Sequence, residues 1–335
     1  MTAEILDQLK RKRQDMINKE NTYKTAFENK KKRLKERERQ RELMLNAAHA
    51  TNPRLKEIER ELSSLGASLA ITALTGDMDK LKEFEKRSKL LVAEKEEILK
   101  KAQVPEIQYE CNLCCDTGLV SGKICECIRK EAGKILMAEL SKNMPLENCR
   151  FENFDLKYYS DKTDAAGDNP RKEMTKILKF CKEYVLNFKP ETAENLIFRG
   201  CPGLGKTHLT MAMVSGVIEK GYLPVYGSAQ NLFSAVESER FSSDKSDALQ
   251  TMLECDLLVI DDLGTELVTS FTRSVLYNLV NTRMLCKKPT IINTNLELEE
   301  LKDTYTNRIA SRFMGEYTWK EFCGRDIRLQ KALNK

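Results

Sequence analysis

The sequence predicts an α/β domain, a parallel sheet covered by helices on both faces, preceded by an α-helical region and a small cysteine-rich module. Two observations predict the α/β domain. Short apolar runs alternate with helix-like segments in the second half of the chain, and a glycine-rich turn joins the first run to the first helix. A cluster of cysteines marks the small module, and charged segments with spaced leucines predict the helices before it.

Length and composition limit the class of protein. A chain of 335 residues has room for about two domains. Charged residues make up 32% of it, and no apolar stretch approaches the ~20 residues that span a bilayer, so no membrane segment is predicted. The start, Met-Thr-Ala-Glu, leads into a charged segment instead of a signal peptide, and the eleven cysteines fit a reducing compartment. We therefore expect a cytoplasmic protein.

Residues 1–104 predict a helical region, either a helical hairpin or a short coiled coil. The first helix is expected from about Thr2 to Asn46, and the second begins at Pro53, because proline is favourable at the first helical position. Apolar residues then recur at spacings of mostly three and four, with a break at residues 75–77: Ile58, Leu62, Leu65, Leu69, Leu81, Phe84, Leu91 and Ile98. Such a stripe suits either an inert stalk or a docking surface for another protein.

The net charge of +5 is concentrated in the first helix. Residues 10–13 and 30–33 are two runs of lysine and arginine. Basic runs bind nucleic acid or an acidic partner, but on a long helix they more often form a solvated face, and we favour that interpretation here.

Residues 105–149 predict a small zinc module and its connector. The candidate ligands are Cys111, Cys114, Cys125 and Cys127. Two cysteine pairs joined by short turns suit tetrahedral Zn²⁺, and a closed structural site is expected because four thiolates leave no open position. Cys115 is a spare thiol, and neither His49 nor His208 is close in sequence. Reduced cysteines without a metal are the alternative.

Residues 150–335 predict the α/β domain. Residues 200–207 read GCPGLGKT and match the phosphate-loop pattern GxxxxGK[ST], between an apolar run at residues 196–198 and a helix-like run from His208. Backbone N–H groups and the helix N-terminus would converge there on a triphosphate, with Lys206 at the β and γ phosphates and Thr207 at Mg²⁺. The predicted nucleotide-binding residues are Gly200, Gly203, Gly205, Lys206, Thr207 and His208.

Polar residues follow two further predicted strands. Residues 257–260 are an apolar run that ends in Asp261 and Asp262, and we assign Asp261 to Mg²⁺ and Asp262 to polarising the attacking water. The strand at residues 289–293 precedes Asn295, which can orient water against the γ phosphate. Another strand is expected at residues 224–226, and only helices are expected after Asn295.

Four segments in this order resemble a known family: GCPGLGKTHL, LLVIDDLGTE, KKPTIINTN and NRIASRF. They resemble the AAA+ ATPases of the bacterial replicative helicase loader family, DnaC-like and DnaI-like, with the transposition helper IstB as a near relative. The likeness covers residues 151–329.

The resemblance implies further site residues. Lys206 with its loop falls on Walker A, Asp261 and Asp262 on Walker B, and Asn295 on sensor 1. Arg308 falls on the arginine finger that a neighbouring subunit inserts beside the γ phosphate, although a structural salt bridge is the simpler alternative. Arg328 falls on the sensor 2 arginine, with Arg325 close enough to leave that choice open.

The resemblance also implies a function. The expected protein is an ATP-dependent helicase loader that self-associates through its ATPase domain, binds single-stranded DNA and contacts a hexameric helicase through its N-terminal region. Hydrolysis is expected to be slow and stimulated by DNA or a partner, because Asp262 stands where many AAA+ enzymes have Glu. Arg240 and Lys245 are candidate DNA contacts. The alternative is an IstB-like transposition helper that binds duplex DNA.

Overall fold

The computed structural model describes residues 19–75, 78–143, 149–163, 169–239 and 248–333. The chain divides into two compact units. One unit is Phe27–Cys125, and the other comprises Glu126 onward together with the described residues up to Ala26. The predicted boundaries after residues 104 and 149 remain predictions. Within the described part of the chain, no helix is both long enough and apolar enough to cross a membrane.

The first unit contains α1 (Lys19–Thr51) from Phe27 onward, α2 (Pro53–Thr75) and α3 (Met78–Lys101). As predicted, Pro53 begins the second helix. α2 and α3 pack on each other as a hairpin, and Leu55, Ile58 and Leu91 are buried. At these positions the apolar stripe is therefore used within the chain, while a coiled coil remains a prediction.

Ion pairs align the hairpin. Arg54 on α2 contacts Glu94 on α3 and Glu61 on its own helix, each at 2.9 Å, and Lys95 contacts Glu59 at 2.7 Å. These side chains are 30–42% exposed to solvent, so the pairs add little stability and mainly favour one alignment of the two helices.

The cysteine segment forms a short antiparallel hairpin, β1 (Leu119–Val120) and β2 (Lys123–Ile124), before α4 (Glu126–Asn143). Gly122 has φ of +75°, the left-handed conformation that glycine adopts at little cost. The predicted tight turn is present at this position.

The second unit contains the α/β domain. After α4 its elements are α5 (Pro170–Leu186), β3 (Asn195–Arg199), α6 (Lys206–Glu219), β4 (Pro224–Ser228), α7 (Ala229–Glu239), α8 (Ala248–Glu254), β5 (Leu257–Leu263), α9 (Ser270–Leu285), β6 (Thr290–Thr294), α10 (Leu298–Tyr305), α11 (Asn307–Glu316), β7 (Tyr317–Glu321) and α12 (Ile327–Leu333). The predicted α/β architecture is confirmed.

The five long strands form one parallel sheet in the order β4-β5-β6-β3-β7. Strands β3, β5 and β6 are buried over nearly their whole length, which agrees with the apolar residues that each of them contains. Because all strands point the same way, the loops that follow β3, β5 and β6 meet at one edge of the sheet. Ligands of open α/β sheets bind at this edge.

The expectation of helices only after Asn295 was wrong. Tyr317–Glu321 is a strand at the edge of the sheet, paired with β3 from Asn195 against Tyr317 to Arg199 against Glu321. One side of β7 is unpaired, and its side chains are mostly half-buried, so the segment lacks the apolar run of the other strands. Its alternating tyrosine and tryptophan at positions 317 and 319 were the available signal.

Candidate nucleotide site and cysteine cluster

A cavity of about 430 Å³ opens at the carboxyl edge of the sheet. Eight of the predicted site residues line it: Gly203, Gly205, Lys206, Thr207, His208, Asp262, Asn295 and Arg328. Asp261 lies buried beside it and contacts Thr207. The structure thus brings together residues from three separate loops and from the end of the chain.

The phosphate loop requires its glycines for two reasons. Gly200, Gly203 and Gly205 all have φ between +78° and +146°, a range that other residues rarely adopt. Space is also lacking: a Cβ on Gly200 would lie 2.5 Å from the Phe322 backbone oxygen, and one on Gly203 would lie 2.0 Å from Asp326 Oδ1. The loop is therefore packed against the C-terminal segment of the chain.

Lys206 begins α6 and is almost completely buried. Its Nζ donates to the backbone oxygens of Gly200 at 2.5 Å and Cys201 at 3.0 Å, and to Asn295 Oδ1 at 2.6 Å. Burial lowers the pKa of Lys206, while the nearby carboxylates of Asp262 and Asp261 oppose that shift. The ammonium group lies at a position where the phosphates of a bound nucleotide would compensate for its lost hydration.

Four groups hold the Asp261 carboxylate. Asn293 Nδ2 donates to Oδ1 at 2.7 Å, and so do the Asp262 backbone N–H at 3.0 Å and Thr207 Oγ1 at 3.3 Å. The Tyr226 hydroxyl donates to Oδ2. A carboxylate beside a threonine hydroxyl offers the oxygen ligands that Mg²⁺ prefers, so the two side chains fit the predicted metal role.

Sequence reasoning missed two of these partners. Tyr226 lies on β4 and Asn293 on β6, the strands on either side of β5. Asn293 is fully buried and accepts a hydrogen bond from Thr210 Oγ1 at 3.0 Å, which fixes the orientation of its amide. A polar amide directly after the apolar residues 291–292 of a buried strand was the available signal for Asn293. The sequence contained no comparable signal for Tyr226.

Asp262 directs its side chain into the cavity by a backbone irregularity. The pairing of β5 with β6 shifts between Ile260 and Leu263, and Asp262 has φ of +53°. Burial raises the pKa of Asp262, and repulsion from Asp261 adds to it, while Lys206 and Arg328 lower it. A carboxylate with a raised pKa is a stronger base, which suits the predicted contact with water.

The remaining predicted residues are placed as follows. His208 Nε2 lies 2.9 Å from the Arg150 backbone oxygen, and its ring packs against Phe154. Arg328 lines the cavity from α12, whereas Arg325, which the structure also describes, does not. The roles of these side chains remain predictions.

Arg308 is exposed in the first turn of α11 and does not line the cavity. Among the residues that the structure describes, its guanidinium has no ion-pair partner, and both the finger role and the salt-bridge alternative remain predictions. Arg312, one turn later, is instead anchored by Asn281 Oδ1 at 2.7 Å and by the Tyr277 hydroxyl at 2.9 Å.

The four predicted cysteines come together in the segment 111–127, which we call the knuckle. The sulfurs of Cys111, Cys114, Cys125 and Cys127 all lie within 4.8 Å of one another. The Cys111 and Cys125 sulfurs are 3.8 Å apart, close to the ~3.8 Å edge of a tetrahedron with Zn–S bonds of about 2.3 Å. The Cys114 backbone N–H is the main cause that lowers the pKa of Cys111 to about 7, so its thiolate forms readily. This donor set fits zinc.

Asp116 holds the knuckle against α1 within the first unit. Its carboxylate accepts from the backbone N–H groups of Glu110 and Cys111, each at 2.9 Å, and contacts Lys30 Nζ at 3.1 Å and Arg37 Nη2 at 2.7 Å. Burial alone would raise the pKa of Asp116, but these donors lower it. Part of the basic run at residues 30–33 therefore serves this contact.

Comparisons with known proteins find a matching family model, similar relatives and similar solved structures. A family model described as IstB-like ATP binding protein matches residues 175–314. The replicative helicase loader DnaC of Escherichia coli (strain K12) is 27% identical over 179 residues, which cover 52% of this chain and 67% of the relative. A crystal structure of the DnaC helicase loader aligns with a TM-score of 0.42 and 25% identity over 51% of this chain and 97% of that one. A crystal structure of DnaI aligns with a TM-score of 0.42 and 22% identity over 55% and 93%.

The parallel sheet, the phosphate loop and the paired aspartates define a P-loop nucleotide-binding domain of the AAA+ type. Residues 175–314 of this domain match the IstB-like family model, and the domain is similar in sequence to the replicative helicase loader DnaC. The match to a family described as ATP binding implies a nucleotide with Mg²⁺ as the ligand of the cavity.

Proposed function

We propose that the chain is an ATP-dependent loader of a replicative DNA helicase, a switch that binds helicase and single-stranded DNA when replication begins. The alignment with DnaC, whose name describes a replicative helicase loader, carries the proposal. The helical unit Phe27–Cys125 supports it, because a loader needs a surface for its helicase in addition to an ATPase domain.

In this proposal each cavity residue has one task. Lys206, now bonded to loop oxygens, transfers its hydrogen bonds to the β and γ phosphates of ATP. Thr207 and Asp261 hold Mg²⁺, which would neutralise phosphate charge when bound. Asp262 and Asn295 orient the attacking water. Their positions at one cavity allow these tasks to be performed together.

Slow hydrolysis also belongs to the proposal. Asp262 is one methylene shorter than the glutamate that many AAA+ enzymes use, so its carboxylate reaches less far toward the water. A slow reaction suits a switch, because the ATP-bound assembly persists until DNA or a partner stimulates hydrolysis.

Self-association completes the site in this proposal. Arg308 of one subunit stabilises the charge that develops on the phosphoryl group in its neighbour, which its exposure in α11 permits. Arg308→Ala subunits keep an intact nucleotide site but lack the arginine finger. Lys206→Ala subunits keep the arginine finger but lack an intact nucleotide site. Each variant alone should be inactive, and their mixture should regain DNA-stimulated ATPase activity at mixed interfaces. Mixed assemblies without activity would show that Arg308 does not act between subunits.

The partner distinguishes the two candidate functions. The family model named after IstB supports the alternative of a transposition helper that binds duplex DNA. We expect the full chain to co-purify with a hexameric replicative helicase in the presence of ATP, and Lys206→Ala to lose the ATP dependence of that complex. Co-purification with a transposase and not with a helicase would favour the alternative.

A further inference from the structure

The loop that follows the paired aspartates contains a buried acid that the site chemistry does not use. Glu266 is only 7% exposed and lies four residues after Asp262. Among the described residues its carboxylate has no cationic partner. Its hydrogen bonds come from the Gly264 backbone N–H at 2.9 Å and from the Tyr305 hydroxyl. Burying a carboxylate with only neutral donors costs free energy, so the loss of either donor would destabilise this arrangement.

Tyr305 is the last residue of α10 and is fully buried in the main apolar core. Burial raises the pKa of Tyr305, and its hydrogen bond to Glu266 adds to that shift, so the phenol remains a donor. The bond joins residues 39 positions apart. It therefore fastens the end of α10 to the loop after β5.

The next residues orient Arg308. Thr306 lies between α10 and α11 with φ of +118° and ψ of 150°, a region that is almost exclusive to glycine. A β-branched residue persists in that conformation only when its surroundings enforce it. Tyr305 before Thr306 and Ile309 after it are both buried, and Arg308 lies between them in the first turn of α11.

We propose that Glu266, through Tyr305, is a positioning residue for Arg308. The inference rests on the intersubunit role of Arg308 proposed above. In each subunit, the bond aligns α11 with the loop that follows that subunit's own aspartates. The arginine offered to the neighbour is thereby held at a fixed position relative to the sheet that carries it.

The mixture of Arg308→Ala and Lys206→Ala subunits separates this role from a general structural one. In that mixture only one kind of interface is active: the site of the Arg308→Ala chain with the arginine of the Lys206→Ala chain. Tyr305→Phe is added either to the Lys206→Ala chain, the arginine donor, or to the Arg308→Ala chain, the site donor. We expect a loss of about fivefold or more in regained ATPase activity with the first addition and less than about twofold with the second.

Controls keep the result interpretable. Tyr184→Phe removes a similar phenol bond, to the Glu194 backbone oxygen before β3, and should leave both arms unchanged. Glu266→Gln keeps the size of the side chain but replaces one acceptor oxygen with a donor, so it should repeat the loss in the arginine-donor arm alone. Melting temperatures of the variants report whether the fold is intact.

Equal losses in both arms, a loss only in the site-donor arm, or no loss in either would overturn the positioning role. A reference mixture that regains no activity without Tyr305→Phe would instead overturn the intersubunit role of Arg308, and this inference with it. The two failures are therefore distinguishable.

Discussion

At the scale of single residues, the site depends on how Asp261 is held. Its carboxylate receives hydrogen bonds from β4 and β6 in addition to those from its own loop. Residues that orient a metal ligand typically change metal affinity or activity by 10–100-fold when they are altered. Tyr226 and Asn293 are therefore part of the predicted magnesium site although neither would touch the ion.

Tyr226→Phe tests this arrangement. Burial, with the Asp261 charge in addition, raises the pKa of Tyr226, so its hydroxyl stays protonated and donates. Without that donor we expect ATPase activity to fall by about 10-fold and its half-maximal Mg²⁺ concentration to rise. The measurement is a Mg²⁺ titration of ATP hydrolysis, with Tyr184→Phe as the matched control. An unchanged Mg²⁺ dependence would show that Tyr226 has only a packing role.

Lys206 gives a prediction about pH. Burial lowers its pKa, so without nucleotide the amine loses its proton at a pH below the usual value of about 10.4. The phosphates of ATP favour the ammonium form, and binding therefore takes up a proton wherever the free protein has lost it. ATP affinity should then weaken as pH rises through the alkaline range. The measurement is the Kd for ATP across pH values at which the fold is intact.

Lys206→Arg is the control for that pH dependence. A guanidinium stays charged at every accessible pH, so the variant should lose the alkaline decline even if its overall affinity is lower. A decline of equal steepness in both proteins would assign it to another group.

At the scale of elements, the fold of the knuckle depends mainly on residues close together in sequence. The cysteine segment has few apolar residues to bury, and a metal can supply the folding free energy that its core lacks. Asp116 then joins the segment to α1 through Lys30 and Arg37. The rest of the predicted basic face remains an expectation, and its first run, residues 10–13, lies outside the described residues.

The knuckle predicts the metal content. Freshly reduced protein should contain about one Zn²⁺ per chain, and chelation should make residues 105–149 sensitive to protease before the ATPase domain. Cys114→Ser should lose the metal, whereas Cys115→Ser should keep it, because Cys115 is exposed and lies outside the four-sulfur cluster. Elemental analysis decides, and a metal-free wild-type protein would contradict the prediction.

At the scale of the whole molecule, DNA binding distinguishes a loader from a transposition helper. The candidate contacts Arg240 and Lys245 lie outside the described residues, so the prediction rests on the proposed function. Binding to single strands should strengthen with ATP and weaken steeply with salt, because neutralised phosphates release counterions. Fluorescence titrations with single and duplex DNA at several salt concentrations measure this. A preference for duplex at every concentration would favour the alternative.

The sequence by itself determined the chemistry that depends on local order. Each of three features lies within one short segment. They are the glycines and lysine of the phosphate loop, the aspartates after a buried strand, and the four cysteines. Their conformations follow from backbone geometry and from the turn that each segment permits. Gly205 at φ of +88° is an example: the motif predicted a glycine there, and the backbone requires one.

Only the tertiary structure decided which distant residues surround that chemistry. Strand order depends on non-local pairing, so the sequence did not reveal that β4 and β6 flank β5 and bring Tyr226 and Asn293 to Asp261. The edge strand β7 likewise becomes a strand because β3 offers it a free edge. The bond from Tyr305 to Glu266 has the same origin, because two residues far apart in sequence meet only when the core packs α10 against the loop after β5.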